Sequence, residues 1–154
     1  MASTSPTAAF FRIEGTLIAR GACSAAAYFA ANGAGFAERA LKLGQVALTV
    51  PIYSVLGQSD RVLANRLAYL PLRDMSEDRV AVLAEEYFDG VLRDRVLQGG
   101  VELMREARRK GRRVVLISDG LAQVIEPLAA HLRHVDDLVC NRLEFRDGYA
   151  TGKL

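Results

Sequence analysis

The chain has 154 residues, of which 51% are apolar and 25% charged, and its formal charge is +2. That composition describes a globular protein of one domain, or of one domain carrying an insertion, and excludes a disordered or fibrous chain. A near-neutral charge with no basic stripe interleaved with aromatics gives nucleic-acid binding no support.

The opening MASTSPTAAFF has no basic segment and only a four-residue apolar run, so it does not read as a secretion signal, and the expected location is cytoplasmic. Residues 8–13, AAFFRI, form a short apolar run that ends at Glu14-Gly15 and predicts a buried strand. From about Gly21 to Val96 the text is helical, rich in alanine and leucine with glycine punctuation. Within it, Leu43 to Gly57 carries no charge. That run is shorter than the ~20 residues needed to span a bilayer, and Pro51 interrupts it. A buried helix pair is expected there, with a lipid-facing or partner-facing patch as the alternative, and hence membrane association as the alternative location.

Ser59 or Asp60 is placed to cap the helix RVLANRLAYL, which stops before Pro71. Ser76 caps the next helix, with Glu77 and Asp78 in its first turn. The apolar set Val80, Leu83, Ala84, Tyr87, Phe88, Val91 and Leu92 lies along one face of it. GGVELMREARRKG predicts a helix closed by Gly111, whose Arg108, Arg109 and Lys110 suit its negative end. A strong apolar strand, Val114 to Ile117, runs into the polar turn Ser118 to Gly120. A helix from Leu121 to about Leu132 and a third short strand, DDLVCN, follow. The tail alternates around Asp147-Gly148, a hairpin signal. Cys23 and Cys140 lack metal-ligand spacing and read as small buried apolar residues in a reducing compartment.

The order strand, helices, strand, helix, strand indicates an α/β fold with a Rossmann-like parallel sheet and a helical insertion after the first strand. Ligands of such sheets bind beyond the carboxyl ends of the strands. Two such ends carry polar turns here, Arg12 to Thr16 and Ser118 to Gly120. Gly15 and Gly120 let the backbone approach an anion, and Thr16 and Ser118 supply hydroxyls.

These features resemble the haloacid dehalogenase superfamily in its subfamily IB, the phosphoserine phosphatase-like branch, whose helical cap is inserted after the first strand. AAFFRIEGTL is similar to the first motif, an apolar strand followed by aspartate, any residue, aspartate, glycine and threonine. VVLISDG is similar to the second, a strand ending in serine or threonine, and CNRLEFRDGYATGKL resembles the strand and hairpin that follow. The resemblance implies a core of residues 1–18 and 97–154 with a cap of residues 19–96. It also implies an association with lipid acyltransferases, which such bacterial domains often accompany.

In that family the first aspartate attacks phosphorus, the second acts as acid and base, and the second-motif hydroxyl holds the phosphoryl group. A later lysine and a later acidic motif complete a magnesium site. Carried over by position, the nucleophile is Arg12, the acid/base is Glu14 and the phosphate hydroxyl is Ser118. The chain ends at Leu154, before the lysine and acidic motif are expected. A guanidinium is permanently protonated and cannot form an aspartyl-phosphate. Glu14 displaces its oxygens by about 1 Å, a misplacement that can cost ~10²-fold in rate. The expectation is a catalytically inactive domain without a metal or other cofactor. The alternative is an active magnesium-dependent phosphomonoesterase, for which Asp119 is the extra carboxylate, although a helix-capping role for it is the simpler one.

Two uses of the degenerate site remain open. Arg12 and Glu14 share a strand face and can pair. Alternatively Arg12 grips a phosphate-containing small molecule with Gly15, Thr16, Ser118, Asp119 and Gly120. The edge of the first strand is expected to be covered by a second copy or a partner protein.

Overall fold

The computed structural model describes residues 7–19, 21–33 and 35–154, with backbone alone at residues 22 and 23. The burial expected of Cys23 and the start of the opening segment, MASTSP, lie outside the described residues. Strand β1 is Ala8–Arg12, followed by helices α1 (Ala22–Ala31), α2 (Phe36–Ser59), α3 (Arg61–Tyr69) and α4 (Glu77–Tyr87). Then come α5 (Gln98–Arg109), β2 (Arg113–Leu121), α6 (Ala122–Leu132) and β3 (Asp137–Asn141). A small hairpin, β4 (Phe145–Arg146) and β5 (Tyr149–Ala150), completes the chain.

The three longer strands form a parallel sheet in the order β1-β2-β3, so β1 is an edge strand. The buried strand expected there is instead half-exposed, because an edge strand has a neighbour on one side only: Ala8, Phe10 and Arg12 are exposed, Phe10 to 67%. Val114 and Leu116 of β2 are fully buried, as a central strand covered on its faces requires. The chain leaves the sheet at Ile18, which bridges to Val96, and the Leu97 N–H donates to the Leu17 carbonyl (2.8 Å). The intervening helices form a cap with Phe29, Tyr69, Leu72 and Leu83 in its interior, continuous with Ile13 and Leu17 beneath. Burying each of these side chains contributes about 1.5–3 kcal/mol.

Local signals set the element ends. Asp60 rather than Ser59 caps α3, accepting from Leu63 N–H, and Ser76 caps α4 through Arg79 N–H. Asp147 and Gly148 both have positive φ (51° and 79°), as a two-residue type I′ hairpin turn demands. Cys140 is a free thiol packed partly into the core, and burial pushes its pKa up, which makes it a poor nucleophile.

One expectation is overturned. Leu43 to Gly57 is not a buried helix pair; it belongs to the single 24-residue α2, which runs through Pro51. Only one stripe of α2 meets α1 and α3, so its buried residues are Lys42 and Val46, while Leu48 and Val55 are each 71% exposed. Pro51 is tolerated because it lies on the outward side, where the carbonyl it leaves unbonded can reach water.

Asp136, before β3, accepts hydrogen bonds from Val114 N–H (2.7 Å) and Arg108 (2.5 Å). The Val114 N–H first, and then the Arg108 guanidinium, hold its carboxyl below the ordinary value of 3.8. A depressed pKa stabilises the fold above the unfolded value, and that stabilisation is lost as pH falls through the folded value. Asp136→Asn is therefore expected to lower stability at neutral pH and to flatten the acid limb below about pH 3.8. Thermal melts of both chains between neutral pH and about pH 2 check this, and parallel acid limbs would count against it.

Candidate phosphate-type site

The turn after β1 is tightly self-bonded. The Ile13 carbonyl accepts from the N–H groups of Thr16, Leu17 and Ile18, and the Gly15 N–H donates to the Ile18 carbonyl (2.7 Å). Gly15 has φ +83°, which a residue with a side chain adopts only with strain. The N–H donors of Gly15 and Thr16 are thus committed within the turn.

The Ser118 to Gly120 segment interrupts the register between β2 and β3, which is regular to Ile117 and resumes at Leu121. The break brings Ser118 and Asp119 over Glu14. The Ser118 hydroxyl donates to Glu14 Oε1 (2.5 Å), the Asp119 N–H donates to the same oxygen (3.2 Å), and the Gly120 N–H donates to Ser118 Oγ (2.9 Å). Glu14 Oε2 is buried without a hydrogen-bond partner, with Arg12 Nε 3.9 Å away.

Arg12 makes its close contact elsewhere: its Nη2 lies 2.5 Å from Asp119 Oδ2. The same oxygen is met by Arg61 Nη1 at 2.6 Å, and Asn65 Nδ2 donates to Asp119 Oδ1 (3.2 Å). Tyr69 and Asn141 both donate to the Asp119 carbonyl (3.1 and 2.8 Å). Asp119 does not cap α6, which begins after Leu121 without a side-chain cap. Its carboxylate, 13% exposed, instead links core to cap.

Of the residues expected at the site, Arg12, Glu14, Ser118, Asp119 and Gly120 lie together, whereas Gly15 and Thr16 spend their N–H groups on the Ile18 and Ile13 carbonyls. The sequence reading missed Arg61, Asn65, Tyr69 and Asn141. The signal for three of these was available, because Arg61, Asn65 and Tyr69 recur at four-residue spacing and share one face of α3.

Two spaces flank the cluster. The crevice between Glu14 and the cap residues Ala25, Tyr87 and Leu92 has a volume of only ≈10 Å³. That is about the room of one water. Beyond Asp119 lies a hollow of ≈560 Å³ lined by Arg61, Asn65, Arg66, Asn141 and Arg142 among others. Among the described residues no cluster of three or more metal-ligating side chains occurs. With Arg12 seated on one carboxylate and Ser118 on the other, the donor set does not fit the magnesium ion that the resemblance implies.

The sequence profile of the haloacid dehalogenase-like hydrolases matches residues 9–154. No curated protein sequence matches the chain. Among solved structures, a Bordetella pertussis Tohama I protein of unknown function is similar at TM-score 0.78 and 24% identity, over 97% of this chain and 66% of that one. A substrate-bound phosphoserine phosphatase complex is similar at TM-score 0.66 and 17% identity, over 98% and 63%. Phosphoserine phosphatase from T. onnurineus gives 0.61 and 22%, over 98% and 66%. The chain thus spans just under two thirds of the length of these relatives. The matched profile covers the sheet, the cap and both polar strand ends, and this chain belongs to the haloacid dehalogenase-like hydrolases.

Proposed function

We propose that this domain keeps the phosphatase fold without its turnover, and that Asp119 fills the place of the anion to hold the cap against the core. The observation that carries this reading is the convergence of two guanidiniums, Arg12 from β1 and Arg61 from α3, on one Asp119 oxygen at 2.5 and 2.6 Å. Such a pair of cations suits a phosphoryl oxygen. Here an internal carboxylate satisfies both. The ≈10 Å³ crevice over Glu14 supports the same reading, since ligand pockets run to hundreds of Å³.

Incubation with p-nitrophenyl phosphate or phosphoserine and magnesium is expected to give no turnover above the blank. Arg12→Asp is expected to stay inactive as well, because the crevice has no room for a phosphomonoester. Turnover by the parent chain that Asp119→Ala abolishes would overturn the proposal.

A second reading, anion binding, is favoured by the hollow of ≈560 Å³ that brings solvent to Arg61 and Asp119. A phosphate-containing ligand entering there would displace the Asp119 carboxylate from its arginines. Melting temperature rising with millimolar inorganic phosphate supports this second use. A flat response leaves Asp119 as the permanent occupant.

A further inference from the structure

A hollow that the strand-end cluster does not touch lies at the opposite end of the sheet. It has a volume of ≈490 Å³ and runs along α5 to the segment after α6. Its floor is apolar, with Val101 and Met104 nearly buried and Leu132 half-buried. Its rim is cationic, with Arg105, Arg108 and Arg109 from α5 and Arg133 from the segment after α6, all exposed. Spacing accounts for the α5 set: Val101, Met104, Arg105, Arg108 and Arg109 fall three and four apart, on one face of the helix.

Two of these guanidiniums are held by carboxylates, Arg105 by Glu102 and Arg108 by Asp136, each at 2.5 Å. Among the described residues, the guanidiniums of Arg109 and Arg133 have no ion-pair or hydrogen-bond partner. Four arginines against two carboxylates leave the rim with an excess of two positive charges. The end of α5 does not consume them. Its Arg108 and Ala107 carbonyls accept from the N–H groups of Gly111 and Arg112 instead (2.9 and 3.1 Å).

Arg133 stands on the rim against its own backbone preference. It has φ 57° and ψ 165°, a region nearly reserved for glycine, and His134 beside it has φ 56°. Strain of this kind collects at ligand sites. A glycine would relieve it but would bring no cation to the hollow.

We infer that this hollow binds a phosphomonoester whose body is apolar or aromatic. The phosphoryl group, at about −1.5 to −2 charges near neutral pH, matches the excess on the rim. Arg109 and Arg133 offer N–H forks to its oxygens. A single carboxylate would answer only about half of that charge. The body of the ester covers Val101, Met104 and Leu132, where the thioether of Met104 suits a ring. The volume falls within the roughly 300–1,000 Å³ of small-molecule pockets, most of which inorganic phosphate would leave unfilled.

The hollow is separate from the cluster around Asp119, and the inference does not depend on the reading of that residue. Helices α5 and α6 lead into the starts of β2 and β3, whereas Glu14 and Ser118 stand at carboxyl ends. The run of β2 from Arg113 to Ser118 alone spans ~16 Å.

Calorimetric titration of the full chain with phenyl phosphate is expected to show saturable binding, about tenfold or more tighter than inorganic phosphate. Amide chemical shifts are expected to move at residues 101–109 and 132–136 and to stay fixed at 14–16 and 118–120. Arg133→Gly is expected to weaken binding about 10–100-fold. It should melt no lower than the parent, because glycine adopts that backbone without strain. Arg109→Ala, at an exposed helical position that alanine favours, is expected to weaken binding to a similar degree. Failure of phenyl phosphate to bind overturns the inference, as do shifts confined to 14–16 and 118–120. So does a folded Arg133→Gly chain that binds as tightly as the parent, or inorganic phosphate that binds as tightly as phenyl phosphate.

Discussion

Gly100→Ala is expected to melt about 6–12 °C below the parent chain, whereas Gly99→Ala, one residue earlier, is expected to melt at or slightly above it. Both glycines lie in the first turn of α5, so helix propensity favours alanine at each by up to about 1 kcal/mol. Their surroundings differ. A Cβ on Gly99 meets nothing within 4 Å, while a Cβ on Gly100 would lie 2.1 Å from the Thr16 carbonyl oxygen and 2.9 Å from its carbon. Those atoms are backbone, in the self-bonded turn that follows β1, and they cannot swing aside as a flexible side chain would. Relief requires moving α5 or the turn, at a cost of about 3 kcal/mol or more. Because the same turn carries Glu14, the Ser118 contact is expected to loosen too. Thermal melts of the two variants side by side are the measurement. Equal melting temperatures would mean that α5 does not press on the turn.

That close approach shows where sequence reasoning stops. The strand AAFFRI, the Ser76 cap and the Asp147-Gly148 turn were legible because each depends on residues within a few positions of one another. Gly100 reads as an ordinary helix-leading glycine, since its constraint comes from Thr16, far away in sequence. The uncharged run of α2 misled for a related reason. Apolar content alone does not say which side of a helix finds a partner, and the short α1 and α3 cover one stripe of the long α2. In the candidate site, Glu14 and Ser118 were found through motif position. Arg12 was identified as a foreign cation, with either Glu14 or a bound phosphate as its expected partner. The break in register after Ile117 brings Asp119 nearer, and the i, i+4, i+8 face of α3 adds Arg61 and Asn65 to it.

Asp119→Ala tests the cluster most directly, and is expected to lower the melting temperature by about 4–12 °C. The carboxylate receives two charge-assisted hydrogen bonds and one from Asn65 while itself largely buried. Bonds of that kind contribute about 1.5–3 kcal/mol each. Arg12 and Arg61 are nearly half exposed, at 47% and 46%, so water recovers part of each loss when the carboxylate goes. A net cost of about 2–3 kcal/mol follows, and a domain of this size loses roughly 2–4 °C per kcal/mol. The variant also leaves two cations facing one place, with Glu14 3.9 Å from Arg12 as the nearby counter-charge. Inorganic phosphate should then occupy that place. At ten times its dissociation constant it would restore about 1.4 kcal/mol, so the variant should regain several degrees in phosphate buffer. Sodium chloride at matched ionic strength should not produce this recovery. A variant that melts within about 1 °C of the parent, or that recovers equally in chloride, would show that the arginines do not depend on Asp119 as their anion.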